Sequence, residues 1–439
     1  MNMKLSVIGL GKLGACMAAC FASKGFETTG LDINKNMVDA INRGQTSVVE
    51  PRLQELLTAS RDKLIATTDF EELIHNSDIT FLVTPTPSEP DGHFSDRYLK
   101  SALEPLATSL KKSNKEYHLF VITSTVSPGT TDESLIPLVE NYSARKLNKG
   151  FGVCYSPEFI ALGSVINDFL NPDLVLIGES DQPAGDQLIK IYEAVCENKP
   201  YIARMSIVSA EIMKISLNSY ITMKISFANA LANICEAVPG ADIDAITRAL
   251  GADKRISPYY IRGSLAYGGP CFPRDNKAFV TFARKFGHEA RLAETTDEVN
   301  QYQTSHLKDL VLKHLPDDRK ISILGLAYKP HTPVIEESAA VKLIEELLGK
   351  EVNITVYDPL AMDNARMAFG DAINYAPSLK ECLSSSTCWV VTLPYDEFRA
   401  IDDSFVTANP TTVIDCWRIL EPAELGKKVK YIALGKVSS

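Results

Sequence analysis

The sequence predicts an α/β protein of two doubly wound parallel-sheet domains joined by a long central helix. Three observations predict it. Short apolar runs alternate with amphipathic stretches in both halves of the chain, the rhythm of repeated βα units. The first run leads into Gly9-Leu10-Gly11-Lys12-Leu13-Gly14, and the next ends in Asp32. Between the halves, residues 206–238 keep a helical pattern rich in Ala, Ile, Leu and Met until Pro239-Gly240 stops it.

The first unit reads strand, G-x-G-x-x-G, helix, strand, acid. Residues 4–8 are the strand, 15–24 the helix and 27–31 the second strand. Asp32 lies 18 residues after Gly14, near the roughly 20 that a dinucleotide-binding βαβ unit needs. Gly9 allows the tight turn, Gly11 lets a pyrophosphate approach the helix N-terminus, and Gly14 permits close helix–strand packing. Asp32 can accept hydrogen bonds from the adenosine ribose. A carboxylate there repels a 2′-phosphate, so NAD is expected rather than NADP.

Further strands occur at residues 78–83, 119–122 and 152–155. The loops after them carry Pro85-Thr86-Pro87, Ser124-Thr125-Val126 and Pro157-Glu158-Phe159. Such loops leave the carboxyl ends of parallel strands, where α/β sheets bind ligands. The long helix places Lys214 and Asn218 one turn apart, a spacing that a solvated stripe shares. Short helices are expected at 242–250 and 276–286. A third region, from about residue 317, repeats the Rossmann-like rhythm, with strands at 320–326, 352–359, 388–392 and 411–415 and a helix at 338–348. Its first turn has only Gly325, so it should hold a nucleotide-like ligand less strictly than the first unit, or simply pack.

Before that region lies Tyr267-Gly268-Gly269-Pro270-Cys271-Phe272-Pro273-Arg274-Asp275. Two glycines let the backbone come close to a ligand, and the prolines stiffen the loop. A cysteine in this setting reads as a nucleophile. The bulk numbers narrow the rest. A length of 439 residues suggests two or three domains, and a net charge of −10 with no basic run excludes nucleic acid as a partner. Nine scattered cysteines without a C-x-x-C pair argue for reduced thiols in a cytoplasm, with no disulfide framework and no metal site. No apolar run reaches the roughly 18–20 residues of a membrane span, and the N-terminus does not read as a signal peptide.

These pieces, in this order, resemble the UDP-glucose/GDP-mannose dehydrogenase family over nearly the whole chain. Further anchors are Asp253-Lys254-Arg255-Ile256 and Leu324-Gly325-Leu326-Ala327-Tyr328-Lys329-Pro330. The resemblance implies two Rossmann-like domains joined by a long helix, usually as a homodimer. Its domains would be residues 1–203 for NAD, a central helical domain 204–302 with the lysine and cysteine, and a nucleotide-sugar domain 303–439. It implies four-electron oxidation of a sugar C6 alcohol to the carboxylate with two NAD reduced, UDP-glucose being the default substrate. Cys271 would hold the aldehyde as a thiohemiacetal and then a thioester. Lys214 would stabilise the oxyanion, Asn218 would donate to the same oxygen or position water, Asp275 and Thr125 would serve the hydrolytic water, and Glu158 would act as a base or its partner.

The resemblance places cofactor contacts at Gly9, Gly11, Lys12, Leu13, Gly14, Asp32, Thr86, Thr125 and Arg274. It places substrate contacts at Glu158, Phe159, Ile160, Lys214, Asn218, Arg262, Tyr267, Gly268, Lys329 and Arg418, with Arg255 reaching the neighbouring subunit's site. The chain departs from the family pattern at several points. Leu162 stands where a carboxylate is usual, Glu336 where an arginine is usual, and Met37 where a basic residue follows the ribose acid. Ala266 and Pro270 replace a glycine and a serine in the cysteine loop. GDP-mannose or a UDP-N-acetylhexosamine therefore stays open as the substrate. So does a non-catalytic NAD- or nucleotide-sugar-binding protein. A two-electron alcohol or hydroxyacid dehydrogenase fits the fold but gives Cys271 no task.

Overall fold

The computed structural model describes residues 3–406 and 410–437. The chain divides into two compact units, residues 1–215 and 216–439, and the division falls inside one continuous helix, Ile207–Ala237. The helical stretch from 216 to 302 clusters with the second sheet.

In the first unit the strands are β1 Leu5–Ile8, β2 Thr28–Leu31, β3 Leu64–Thr67, β4 Ile79–Leu82, β5 Leu119–Ile122, β6 Gly152–Tyr155, β7 Leu174–Glu179 and β8 Tyr201–Ser206. They form one sheet in the order β3-β2-β1-β4-β5-β6-β7-β8. All neighbours are parallel except β6 and β7, so the sheet carries one antiparallel step that the sequence rhythm did not announce. The side-chain period of two sends Leu5, Val7, Phe81 and Val121 into one core, and Ile8, Leu82, Phe120 and Ile122 into another. Helices thus cover both faces, which is why these strands are apolar throughout. The strand order reverses between β1 and β4, opening the crevice where α/β sheets take ligands.

The second unit repeats this plan. Its strands are β9 Lys320–Leu324, β10 Asn353–Tyr357, β11 Asn374–Tyr375, β12 Cys388–Val391, β13 Thr411–Asp415 and β14 Val429–Ala433. Their order is β11-β10-β9-β12-β13-β14, all parallel. This matches the order of the first six strands of the other sheet.

Two helices differ from expectation. The one after the cysteine starts at Phe272, four residues early, because Pro273 sits in its first turn, where a missing N–H costs nothing. A 23-residue helix, Arg291–Lys313, has no counterpart in the sequence reading. Half of its buried positions are Thr296, Asn300 and Gln303, so hydrophobic periodicity says little about it.

On the long helix the usual polarity is reversed. Glu211, Lys214, Thr222, Ser226 and Asn229 are buried, whereas Tyr220, Phe227 and Ile234 are 57%, 55% and 59% exposed. The solvated-stripe reading of Lys214 is therefore overturned.

Candidate active site

In the first unit, the turn after β1 is shaped by two close approaches. Gly9 has φ +89°, and a Cβ on it would lie 2.4 Å from the Val83 carbonyl oxygen. A Cβ on Gly14 would lie 1.8 Å from the Gly9 oxygen. Gly11 differs, since a Cβ there would meet only open space. It is also the N-cap of the helix Lys12–Ser23, which has no side-chain cap and no acid in its first turn. Lys12 is exposed and Leu13 half-buried beside it. The first backbone N–H groups of a 12-residue helix thus face an open glycine with no anion of their own. A pyrophosphate fits there in charge and room. Asp32 closes the turn by accepting from Leu10 N and Asn34 N, each at 2.8 Å. It stays half-buried, with acceptor capacity left for ribose hydroxyls.

The next loops are stapled together. Thr86 Oγ1 donates to the Thr125 carbonyl at 2.7 Å, and Ser124 Oγ to the Thr84 carbonyl at 2.6 Å. Glu211, fully buried on the long helix, accepts from Gly129 N at 2.6 Å and Thr131 N at 3.0 Å. It holds the end of the Thr125 loop. Three residues on, Lys214 Nζ donates to the Glu158 carbonyl at 2.5 Å and lies 4.2 Å from the centre of the Phe159 ring. The ammonium is buried, and a carbonyl dipole and a π face hold it there. Phe159 and Ile160 are half-buried in the same loop. Glu158 is half-buried as a residue, but its carboxyl is desolvated, which raises it from 4.5 to about 7 against the opposing pull of Tyr192 and Lys214.

In the second unit, Cys271 is the N-cap of the helix Phe272–Lys285. Its sulfur therefore sits at the positive end of a helix dipole, the end that favours anionic sulfur. Of the nine cysteines it alone is exposed. Burial pushes all eight others up, Cys196 to about 11 and Cys20, Cys382 and Cys388 to about 12. One turn into the helix, Asp275 is 1% exposed, accepts from Asn218 Nδ2 at 2.6 Å and faces Arg274 Nε at 3.4 Å.

The glycines of the cysteine loop are also required by packing. A Cβ on Gly268 would lie 2.0 Å from the Glu337 carbonyl oxygen, and one on Gly269, at φ +85°, 2.5 Å from the Tyr328 ring. Gly269 N donates to the Glu336 carbonyl at 3.0 Å. Glu336, the charge-reversed position, thus lies beside the loop with its side chain exposed.

Upstream, residues 264–267 have no neighbouring strand among the described residues, and buried carboxamides take its place. Asn229 accepts from Ser264 N at 2.8 Å and donates to the Leu265 carbonyl at 2.9 Å. Asn300 accepts from Tyr267 N at 2.7 Å and donates to its carbonyl at 3.0 Å. Gln303 Nε2 donates to the Ser264 carbonyl at 2.6 Å. A primary amide has the donor and acceptor of a peptide group, so one side chain can satisfy two backbone atoms at once. The Tyr267 hydroxyl bonds the Asp297 carboxylate, which Asn276 Nδ2 also reaches at 2.9 Å.

The remaining basic residues differ in what they hold. Arg418, at φ +55°, is 4% exposed at its side chain and pairs with Asp244 through Nε at 2.8 Å and Nη2 at 3.0 Å. It also donates to the carbonyls of Gly263, Leu434 and Cys416. Its donors serve the fold. Arg262 donates to the Trp417 carbonyl at 3.1 Å. Lys329 is half-buried, 5.8 Å from the centre of the Tyr328 ring. Arg255, 87% exposed at its side chain, pairs locally with Asp253. Sequence reading missed Glu211, Asn229, Asn300, Gln303 and Tyr192. A signal existed for the first two: with Lys214, Asn218, Thr222 and Ser226 they recur every three or four residues on one helix face.

Residues 3–196 match the NAD-binding domain of the UDP-glucose/GDP-mannose dehydrogenase family, residues 208–302 its central domain and residues 322–422 its UDP-binding domain. The chain belongs to that family. A UDP-glucose 6-dehydrogenase of Haloferax volcanii, AglM, is 37% identical over 96% of this chain and 98% of its own length. A GDP-mannose 6-dehydrogenase of Pseudomonas putida is 35% identical over 81% of both chains. A solved UDP-glucose dehydrogenase of Pyrobaculum islandicum is 30% identical, with TM-score 0.90, covering 99% of this chain and 98% of that one. The chain is an NAD-dependent nucleotide-sugar dehydrogenase, and the open N-terminus at Gly11 fits its cofactor. No helix among the described residues is long and apolar enough to cross a membrane.

Proposed function

We propose that this enzyme oxidises the C6 alcohol of a nucleotide sugar to the carboxylate, with UDP-glucose as the substrate, through a covalent adduct on Cys271. The carrying observation is the contrast among the thiols: one exposed sulfur at a helix N-terminus, eight others raised by burial. Two NAD molecules, bound one after the other, would each accept one hydride. Cys271 adds to the aldehyde left by the first oxidation and keeps it from escaping; the second oxidation leaves a thioester, which water cleaves. Lys214, a buried cation, balances the developing oxyanion. Asn218 and Asp275 act as a hydrogen-bonded pair, and Thr125 and Glu158 serve the hydrolytic water. Arg262, Tyr267, Gly268 and Lys329 line the path of the nucleotide sugar, and Arg274 and Thr86 that of the cofactor. Arg418 braces this region rather than touching substrate.

The choice of UDP-glucose is supported by the likeness along nearly the full length to the two UDP-glucose enzymes. A homodimer is supported by the exposed Tyr220, Phe227 and Ile234, spaced by seven on a 31-residue helix. Exposed Arg255 then reaches a neighbouring subunit.

NADH counted per sugar consumed, over a panel of UDP- and GDP-sugars, tests the reading. Two per UDP-glucose is expected. One per sugar would replace it with a two-electron reaction, and no NADH from any sugar would end it. Cys271→Ser should bind both ligands and lose net turnover by at least roughly 10³-fold, the scale of loss that other nucleophile deletions show.

A further inference from the structure

Glu158 has a side-chain partner that no motif announces. Tyr192, on the helix Gln182–Val195, donates its hydroxyl to Glu158 Oε1 at 3.1 Å. The same phenolic oxygen lies 2.9 Å from Ser156 Oγ, two residues before Glu158. Tyr192 and Ser156 are 2% and 1% exposed. The tyrosine ring belongs to the apolar core, beside Phe169 at 6.5 Å between centroids. Phenylalanine would fill that place equally well, so packing does not account for the hydroxyl. Ser156 alone could satisfy a buried phenol, yet the hydroxyl also reaches a carboxylate.

We propose that Tyr192 is a positioning residue for Glu158: its hydroxyl, backed by Ser156, fixes Oε1 and leaves Oε2 to exchange a proton with the water that cleaves the thioester. The inference rests on the reading of Glu158 as a base in that step. A hydrogen bond to the charged form favours ionisation, while burial opposes it. The titratable groups that face this carboxyl are Lys214 on the long helix, Tyr192 itself, Cys20 on the helix Lys12–Ser23, and Cys196 just past the end of the Tyr192 helix. Burial keeps both thiols neutral, so Lys214 and Tyr192 are the two groups that pull the carboxyl toward ionisation.

The test is Tyr192→Phe, which keeps the ring and removes the hydroxyl. Acyl-enzyme decay is followed by acid quench and intact mass from about pH 6 to 10, with UDP-glucose and NAD, beside wild type and Glu158→Gln. We expect the acid limb of the decay rate to move to higher pH. The loss is then roughly fivefold at pH 7 and under about twofold at pH 9, as for a carboxyl that has lost one stabilising hydrogen bond. Unchanged Tm and NAD affinity show that the fold is intact. A profile superimposable on wild type, or an equal loss at every pH, would overturn the proposal. If Glu158→Gln hydrolyses its acyl-enzyme at the wild-type rate, the reading of Glu158 fails. If it is slow while Tyr192→Phe is not, only the role of Tyr192 fails.

Discussion

The two sheets make the same turn with the same bonds and put it to different ends. Gly9 N bonds the Leu31 carbonyl at 2.8 Å, and Gly325 N bonds the Tyr357 carbonyl at 2.8 Å. Leu10 N reaches Asp32 at 2.8 Å, and Leu326 N reaches Asp358 at 2.7 Å. Val83 N closes on Ile8, as Thr392 N closes on Leu324. The two units diverge past the turn. After Gly9 the chain enters a helix at Lys12, whereas after Gly325 the helix waits until Ala339. Asp32 accepts two backbone N–H groups and stays half-buried; Asp358 accepts four, from Leu326, Ala327, Leu360 and Ala361, and is 1% exposed. One acid keeps capacity for a ligand, and the other is saturated by its own loop. A shared strand order therefore does not imply a shared binding mode.

Glycine substitutions strain this comparison most. Gly14→Ala drives a methyl into the Gly9 carbonyl and Gly268→Ala drives one into the Glu337 carbonyl, so each should cost more than about 4 kcal/mol. Denaturant melts would show it; a stable Gly14→Ala protein would mean that the first turn is no tighter than the second. Next come the acids. Asp358→Ala strands four backbone donors and should cost about 3 kcal/mol without changing the KM for NAD. Asp32→Ala should cost nearer ~1 kcal/mol, raise that KM, and narrow the preference for NAD over NADP. Equal effects at both acids would erase the distinction.

A pH series separates a group kept for chemistry from these structural carboxylates. Glu158 is raised from 4.5 to about 7 in the folded protein. Its contribution to stability is complete below about pH 4.5 and is lost as pH rises through 7, because the folded state then ionises a desolvated group that the unfolded chain ionised earlier. The loss should be on the order of 3 kcal/mol by pH 8. In Glu158→Gln, Tm should fall less between about pH 5 and 8 than in wild type; parallel curves would contradict it. The smallest effect is at Gly11→Ala, which meets open space and should leave stability within about 0.5 kcal/mol while weakening NAD several-fold.

Much of this was legible in the sequence. The strands at residues 119–122, 152–155 and 411–415 appear with the expected bounds, because a buried parallel strand is an apolar run with turn signals at both ends. Asn218 beside Asp275 and Lys214 beside Phe159 bring together residues singled out from their motifs. Less visible was whatever depends on polar groups facing inward. The helix Arg291–Lys313 buries Asn300 and Gln303 where a pattern search looks for leucine. Tyr192 sits on a helix 34 residues from its partner, and Arg418 looks like a substrate cation until Asp244 is found beside it. Such pairings belong to tertiary structure, since the same residue types on a surface would carry the same local pattern.

The exposure of Cys271 alone among the thiols makes this a protein whose competence can be counted. A mild alkylating reagent at neutral pH should take up one equivalent per folded chain, and the uptake should rise to nine when the chain is unfolded. Each unfolded molecule adds eight further equivalents to the first reading, so its excess over one, divided by eight, gives the unfolded fraction, and a reading below one shows that this sulfur has been lost to oxidation.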